Sequence, residues 1–186
     1  MKIKLFYLGL LMCTLVTAQS TWTVDKAHSK IGFDITHLLI SEVDGNFDEF
    51  EITANADDTF MEPTFEVTIN TASIDTDNER RDGHLKSADF FDVEAHPTMT
   101  FKTTSVEKTG DNTFTMVGDL TLHGVTKSVT LEGKVNGVIT DQRSQKLKAG
   151  LKLTGTINRI DFGVGEESAA IGNEVDLTIN LEMAQQ

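Results

Sequence analysis

Five histidines, His28, His37, His84, His96 and His123, are the side chains best suited to chemistry near neutral pH in this 186-residue chain. None stands in an H-x-H, H-x-x-H or H-E-x-x-H pair, so the sequence carries no metal-ligand spacing and no metal site is expected from it. Only residues distant along the chain could hold an ion. Asp25, His28 and Ser29 invite comparison with a hydrolase, but the G-x-S-x-G elbow is missing, and neighbours on a strand point to opposite faces. A catalytic triad is therefore not expected, and the chain reads as a non-enzyme that needs no cofactor. Gly163-Val164-Gly165 lacks the strand–helix setting of a dinucleotide fingerprint and reads as a loop. Of the charged residues that remain, Arg159 and Asp161 lie just past a strand end, where an ion pair would hold the closing loop. Arg80 and Arg81 could meet a phosphate or carboxylate head group. For Arg81 a structural role and a head-group role stand side by side.

The N-terminus bears on the compartment. Lys2 and Lys4 precede an apolar run from Leu5 to Val16, and Val16-Thr17-Ala18 supplies small residues for cleavage before Gln19. Residues 1–18 thus read as a secretory signal peptide, cleaved after Ala18, and residues 19–186 as one domain. The apolar run is shorter than the roughly 20 residues that span a bilayer, so the mature chain is not expected to be membrane-anchored. Cys13 follows Met12 rather than a small residue, which disfavours lipoprotein processing. It leaves with the signal, and the mature chain then has no thiol or disulfide. A periplasmic or secreted location follows. Loss of the two lysines takes the formal charge from −13 to −15. That acidity argues against nucleic acid and against electrostatic docking on anionic lipid.

The elements that must position any site are nearly all β. Ile31, Phe33 and Ile35 alternate with polar residues, as do Phe50, Ile52 and Ala54, with Phe47 out of phase before them as at a bulge. The same period runs through Phe65, Val67 and Ile69, through Met99 and Phe101, and through Phe114, Met116, Leu120 and Leu122. It continues in Val129 and Leu131, in Leu147 to Ile157 with Leu151 and Leu153, and in Val175 to Met183. Asp44-Gly45, Gly110-Asp111-Asn112 and Asn136-Gly137 carry hairpin-turn chemistry. The expectation is all-β: a single antiparallel eight-stranded barrel, whose closure removes exposed edges. Only Asp75 to Phe91 reads as helical, with Asp77 or Asn78 as N-cap and Gly83 as an interruption. Phe90 and Phe91 cannot share one face of a strand, so a turn at Ser87-Ala88-Asp89 should bring at least one ring over the barrel mouth. Periodicity alone leaves open whether the interior is filled by side chains or hollow.

Arg81-Asp82-Gly83-His84-Leu85-Lys86-Ser87-Ala88-Asp89-Phe90-Phe91-Asp92 resembles the signature segment of the YceI-like family, secreted lipocalin-like barrels that bind polyisoprenoids and related lipids. The resemblance continues in Trp22-x-Val24-Asp25-x-x-His28-Ser29, in Gly118-Asp119-Leu120-Thr121-Leu122, in Arg159-x-Asp161-Phe162-Gly163 and in Ile171-Gly172-x-Glu174-Val175. It implies a lipocalin-like barrel with a short helical lid segment. It also implies an isoprenoid, quinone precursor or long-chain fatty amide as ligand, and binding and release in place of catalysis. Family members often pair, so a homodimer is a further expectation. The residues expected to line the barrel and its mouth are Phe33, Ile35, Phe50, Phe65, Val67, Phe90, Phe91, Phe101, Met116, Leu151, Leu153 and Arg81.

Overall fold

Two-residue alternation produces eleven β-segments that join edge to edge. The computed structural model describes residues 19–186, and the signal-peptide expectation for residues 1–18 lies outside them. β1 (Ser20–Val24) and β2 (Lys30–His37) are halves of one stave, bent at a 3-10 turn over Lys26–His28. Both lie along β11 (Ile171–Gln185), with Trp22 opposite Gln185 and Ile31 opposite Ile179. β3 (Ser41–Phe47) and β4 (Phe50–Ala56) form a second bent stave, and β5 (Thr64–Asn70) with β6 (Ile74–Asp75) a third. β7 (Thr98–Lys108), β8 (Thr113–Leu122), β9 (Val125–Thr140) and β10 (Leu147–Asn158) complete the wall. The eleven segments thus make eight staves, each antiparallel to the next, and β11 closes the ring on β1. The out-of-phase Phe47 and Phe50 mark the break between β3 and β4.

Two of the three expected turns are not turns. Gly45 lies within β3 opposite Phe33, and a Cβ there would stand 2.9 Å from Phe33 Cε1 and 2.8 Å from Thr76 Cγ2. The glycine is a floor for an aromatic ring. Asn136-Gly137 lies inside β9, at a register shift against Gly150 and Leu151, so it forms a bulge. The chain reverses further on, where the Asp141 carboxylate accepts bonds from the Arg143 and Ser144 amides and the Ser144 hydroxyl. Its acidity is raised by those donors, the Ser144 amide first. The Gly110 turn between β7 and β8 is as expected, held by the Thr109 and Gly110 amides on the Thr113 carbonyl.

One α-helix, α1 (Glu79–Leu85), interrupts the strands. Asn78 caps it, its side chain accepting from the Arg81 amide at 3.0 Å. Gly83 lies inside the helix instead of breaking it. Successive turns then carry the chain from Lys86 to Pro97, across the same end of the barrel as the β2–β3, β8–β9 and β10–β11 connections. No helix among the described residues is long and apolar enough to cross a membrane.

Candidate binding cavity and its mouth

Inward side chains differ by level along the barrel axis. At the end carrying the β4–β5, β7–β8 and β9–β10 connections, Trp22, Phe60, Phe114, Ala149, Leu151 and Met183 are at most 1% exposed. Trp22 meets Phe60 edge to face at 4.9 Å, and the indole N–H donates to the Ala56 carbonyl. The Phe114 ring lies over its cross-strand partner Gly133, where any Cβ would collide with it. This end is sealed. Towards the other end the inward residues Phe33, Ile35, Val67, Leu120, Val129, Leu177 and Ile179 are only half-buried. They face a cavity of about 610 Å³. That volume lies within the range of small-molecule sites.

Of the twelve residues expected at the site, Phe33, Ile35, Phe65, Val67, Phe90, Phe91, Phe101, Met116, Leu153 and Arg81 line this cavity. Phe50 and Leu151 do not. Phe50 sits at the β3–β4 bend, in the core but outside the cavity lining, and Leu151 lies a level lower, opposite Val135 and Leu181 in the sealed end. Both take the inward phase, as the sequence indicates; Leu151 lies nearer the sealed end than the lining residue Leu153, whereas Phe50, level with the lining residue Ile69, is set aside by the bend. Unanticipated lining residues include Phe47, Leu177, Ile179 and Arg159. Leu177 and Ile179 carry the period-two signal of the last strand, and Arg159 stands within a family motif just past the end of β10.

The mouth is polar. Thr36, His37, Thr76, Asn78, Arg80, Arg81, His84 and Arg159 border it, and no aspartate or glutamate lines the cavity among the described residues. The Arg81 guanidinium donates to the Thr76 hydroxyl at 2.7 Å and carbonyl at 2.6 Å. That hydroxyl in turn donates to the buried Asp82, whose carboxylate also accepts from the Thr76 amide. This chain of bonds ties α1 to the end of β6. Arg159 is buried and donates to the carbonyls of Gly172, Val164 and Glu166 at 2.8–2.9 Å. It holds the closing loop through backbone carbonyls, not through Asp161, which pairs with Lys127 on the surface. Burial pushes the Arg159 pKa down, but a guanidinium keeps its charge at any physiological pH. Phe90 and Phe91 both reach the cavity: Phe91 packs edge-on to Phe47 at 5.8 Å, and Phe90 meets His84 at 5.0 Å.

The supposed hydrolase group lies elsewhere. His28 bonds Asp25 at 3.1 Å, while the Ser29 hydroxyl accepts from the Glu182 amide. The Asp25 carboxyl is held below its usual range, first by that His28 bond. None of the three lines the cavity. A second cluster escaped sequence reading altogether: Asp92, His96 and His123 bring one ligand atom each within 4.8 Å of one another. The spacing Asp92-x-x-x-His96 was a visible signal, but the third member lies on another element.

The YceI-like domain model matches residues 22–183. This chain belongs to the YceI-like family. Protein YceI of Escherichia coli O17:K52:H18 is 41% identical over 170 residues, covering 89% of this chain and 87% of its own length. UPF0312 protein SA2479 of Staphylococcus aureus is 38% identical over 151 residues, covering 81% and 85%. The crystal structure of Campylobacter jejuni YceI superposes with a TM-score of 0.76 at 36% identity, covering 88% of this chain and 97% of that one. A polyisoprenoid-binding domain from Saccharophagus degradans, implicated in plant cell wall breakdown, shares the fold at a TM-score of 0.64 and 14% identity, covering 89% and 98%.

Proposed function

We propose that this YceI-like barrel is an exported carrier of a long-chain amphiphile, most simply a polyisoprenoid or quinone precursor. The tail lies in the cavity and the head group at the arginines of the mouth. The observation that carries this reading is the contrast within one wall. Inward phenylalanine, leucine, isoleucine and valine side chains stay half-buried because they border a 610 Å³ apolar cavity instead of one another. Each methylene moved from water into such a lining gains about 0.8 kcal/mol. Among the described residues Arg80, Arg81 and Arg159 line the cavity and no carboxylate does, which favours a head group that is anionic or rich in hydrogen-bond acceptors. The likeness to a domain described as polyisoprenoid-binding supports the ligand class. Binding and release with no bond made or broken accounts for all these features. Export rests on Lys2, Lys4, the apolar run and Val16-Thr17-Ala18.

The test is an organic extract of the mature protein purified from its native host, analysed by mass spectrometry. A stoichiometric prenyl or long-chain lipid is the expected result. Protein that emerges lipid-free and takes up no fluorescent prenyl probe would sink the reading.

A further inference from the structure

Asp92, His96 and His123 meet beside the mouth, and nothing in the carrier reading uses them. Backbone geometry brings them together. The His96 amide donates to the Asp92 carbonyl at 2.8 Å, a single helical turn that places the two side chains one above the other on one side. Asp92 adopts a left-handed φ of 42°, which sets the turn off from the run of turns before it. His123 comes from the tight β8–β9 connection, where His123 and Gly124 have φ of 51° and 75°. Gly124 is required there twice over, by its φ and because a Cβ would stand 2.8 Å from the His96 ring. The two imidazoles lie 4.5 Å apart between centroids. All three side chains are half-buried, and among the described residues none of their ring nitrogens or carboxylate oxygens has a hydrogen-bond or ion-pair partner.

The second group of this kind, Asp25, His28 and Glu182, differs in one decisive respect. There Asp25 already bonds His28, and the Lys148 ammonium stands 2.7 Å from Glu182 and 3.8 Å from Asp25. A protein cation fills that position. At Asp92, His96 and His123 no protein cation is supplied, and the donors point at shared space.

We infer that Asp92, His96 and His123 form a site for a divalent first-row transition ion, with zinc the simplest occupant. Two imidazoles and one carboxylate are the donor set of many zinc sites, with a fourth position left to water. Zinc–ligand bonds are about 2.0–2.2 Å long. Tetrahedral donors at that bond length stand about 3.4 Å apart, so donors up to 4.8 Å apart must draw together by up to about 0.8 Å each, which half-buried side chains on turns can do. The ion would bridge two elements. Asp92 and His96 belong to the segment that carries Phe90 and Phe91 over the cavity, and His123 belongs to the rim of the barrel wall. Metal occupancy therefore clasps that segment to the rim and slows exchange of whatever the cavity holds; this consequence, unlike the site itself, rests on the carrier reading.

Zinc titration of the metal-stripped mature protein against a chromophoric chelator tests the site without any lipid. One equivalent should bind. His123→Asn, which tolerates the left-handed φ, and His96→Phe, which keeps a ring against Gly124, should each lower the affinity at least tenfold. His28→Ala, His37→Ala and His84→Ala should leave it unchanged. Cobalt in place of zinc should give visible d–d absorption from a low-coordinate site, lost in the same two variants. No stoichiometric binding, or equal loss with the control histidines, overturns the site. Release of a fluorescent prenyl probe then reads the clasp separately: zinc should slow it several-fold in the parent and not in His123→Asn. Zinc binding with no change in release would keep the site and discard the clasp.

Discussion

At the sealed end of the barrel Trp22, Phe60, Phe114 and Met183 are wholly enclosed, whereas Phe33, Ile35, Val67 and Ile179, also directed inward, remain half-buried. The chemistry of the side chains hardly differs between the two ends. What differs is whether the space each side chain faces is filled. Trp22 meets Phe60, and Phe114 lies on Gly133. In the upper half the aromatic rings, Phe90 and Phe91 among them, line the cavity without filling it. One wall thus serves as packed core at one level and as a cavity lining at another.

A charge placed at each level breaks this comparison most severely. Leu151→Glu puts a carboxylate among Ala149, Met183 and Val135 with no partner and no water, at a cost of several kcal/mol. It should unfold the protein or leave it with a strongly raised carboxyl pKa. Val67→Glu faces the cavity, where water can follow the charge, so the fold should survive by circular dichroism and denaturant midpoint while lipid content falls to background. If Val67→Glu is as destabilising as Leu151→Glu, the cavity is closed core in solution and the contrast between ends is false.

Truncating one ring at each end gives a smaller effect. Trp22→Ala removes a fully buried indole and its bond to Ala56, and should cost about 3–5 kcal/mol. Its effect on probe release should be slight. Phe91→Ala removes a half-buried ring packed edge-on to Phe47, and should cost about 1–2 kcal/mol while accelerating release. Stopped-flow release rates beside urea midpoints separate the two. Equal stability losses with unchanged release from Phe91→Ala would make that ring a permanent plug.

These contrasts show what the sequence can and cannot carry. Period-two alternation told which face each strand residue takes, and seven of the nine lining residues expected on strands lie along the cavity. It did not tell height along the axis, so Leu151 and Leu153, two residues apart on one strand, were read alike although only Leu153 reaches the cavity. Glycine was ambiguous for a related reason. Asp44-Gly45 and Asn136-Gly137 look like turns, yet one floors the Phe33 ring and the other sits in a bulge, and both roles need a missing Cβ or a pliant backbone as a turn does. The Asn78 cap was legible because capping is local. The meeting of His123 with Asp92 and His96 was not, because it depends on which turn of the barrel stands beside the crossing segment.

The smallest expected effect concerns strain, and here the two ends differ again. Phe60 at the sealed end has a φ of 57°, costly for a bulky residue. Its amide and that of Thr59 bond the Asp57 carboxylate, and its ring is fully buried against Trp22, so packing offsets the strain. Leu38 and Leu39 at the open end have φ of 52° and 62° in the β2–β3 connection, and they are 52% and 85% exposed. Neither leucine gains burial in return. The left-handed conformation costs roughly 1–2 kcal/mol for an ordinary residue, and a pair of positive φ values is what Asn-Gly provides without strain. The double substitution Leu38→Asn with Leu39→Gly should therefore raise stability by about 1–2 kcal/mol, read as a higher urea midpoint at unchanged slope. The same relief at the sealed end, Phe60→Gly, should lower stability instead, because the lost ring outweighs it. A lower midpoint for the Leu38 and Leu39 double variant would show that these exposed leucines make contacts the open end needs, and that its looseness is less than the cavity suggests.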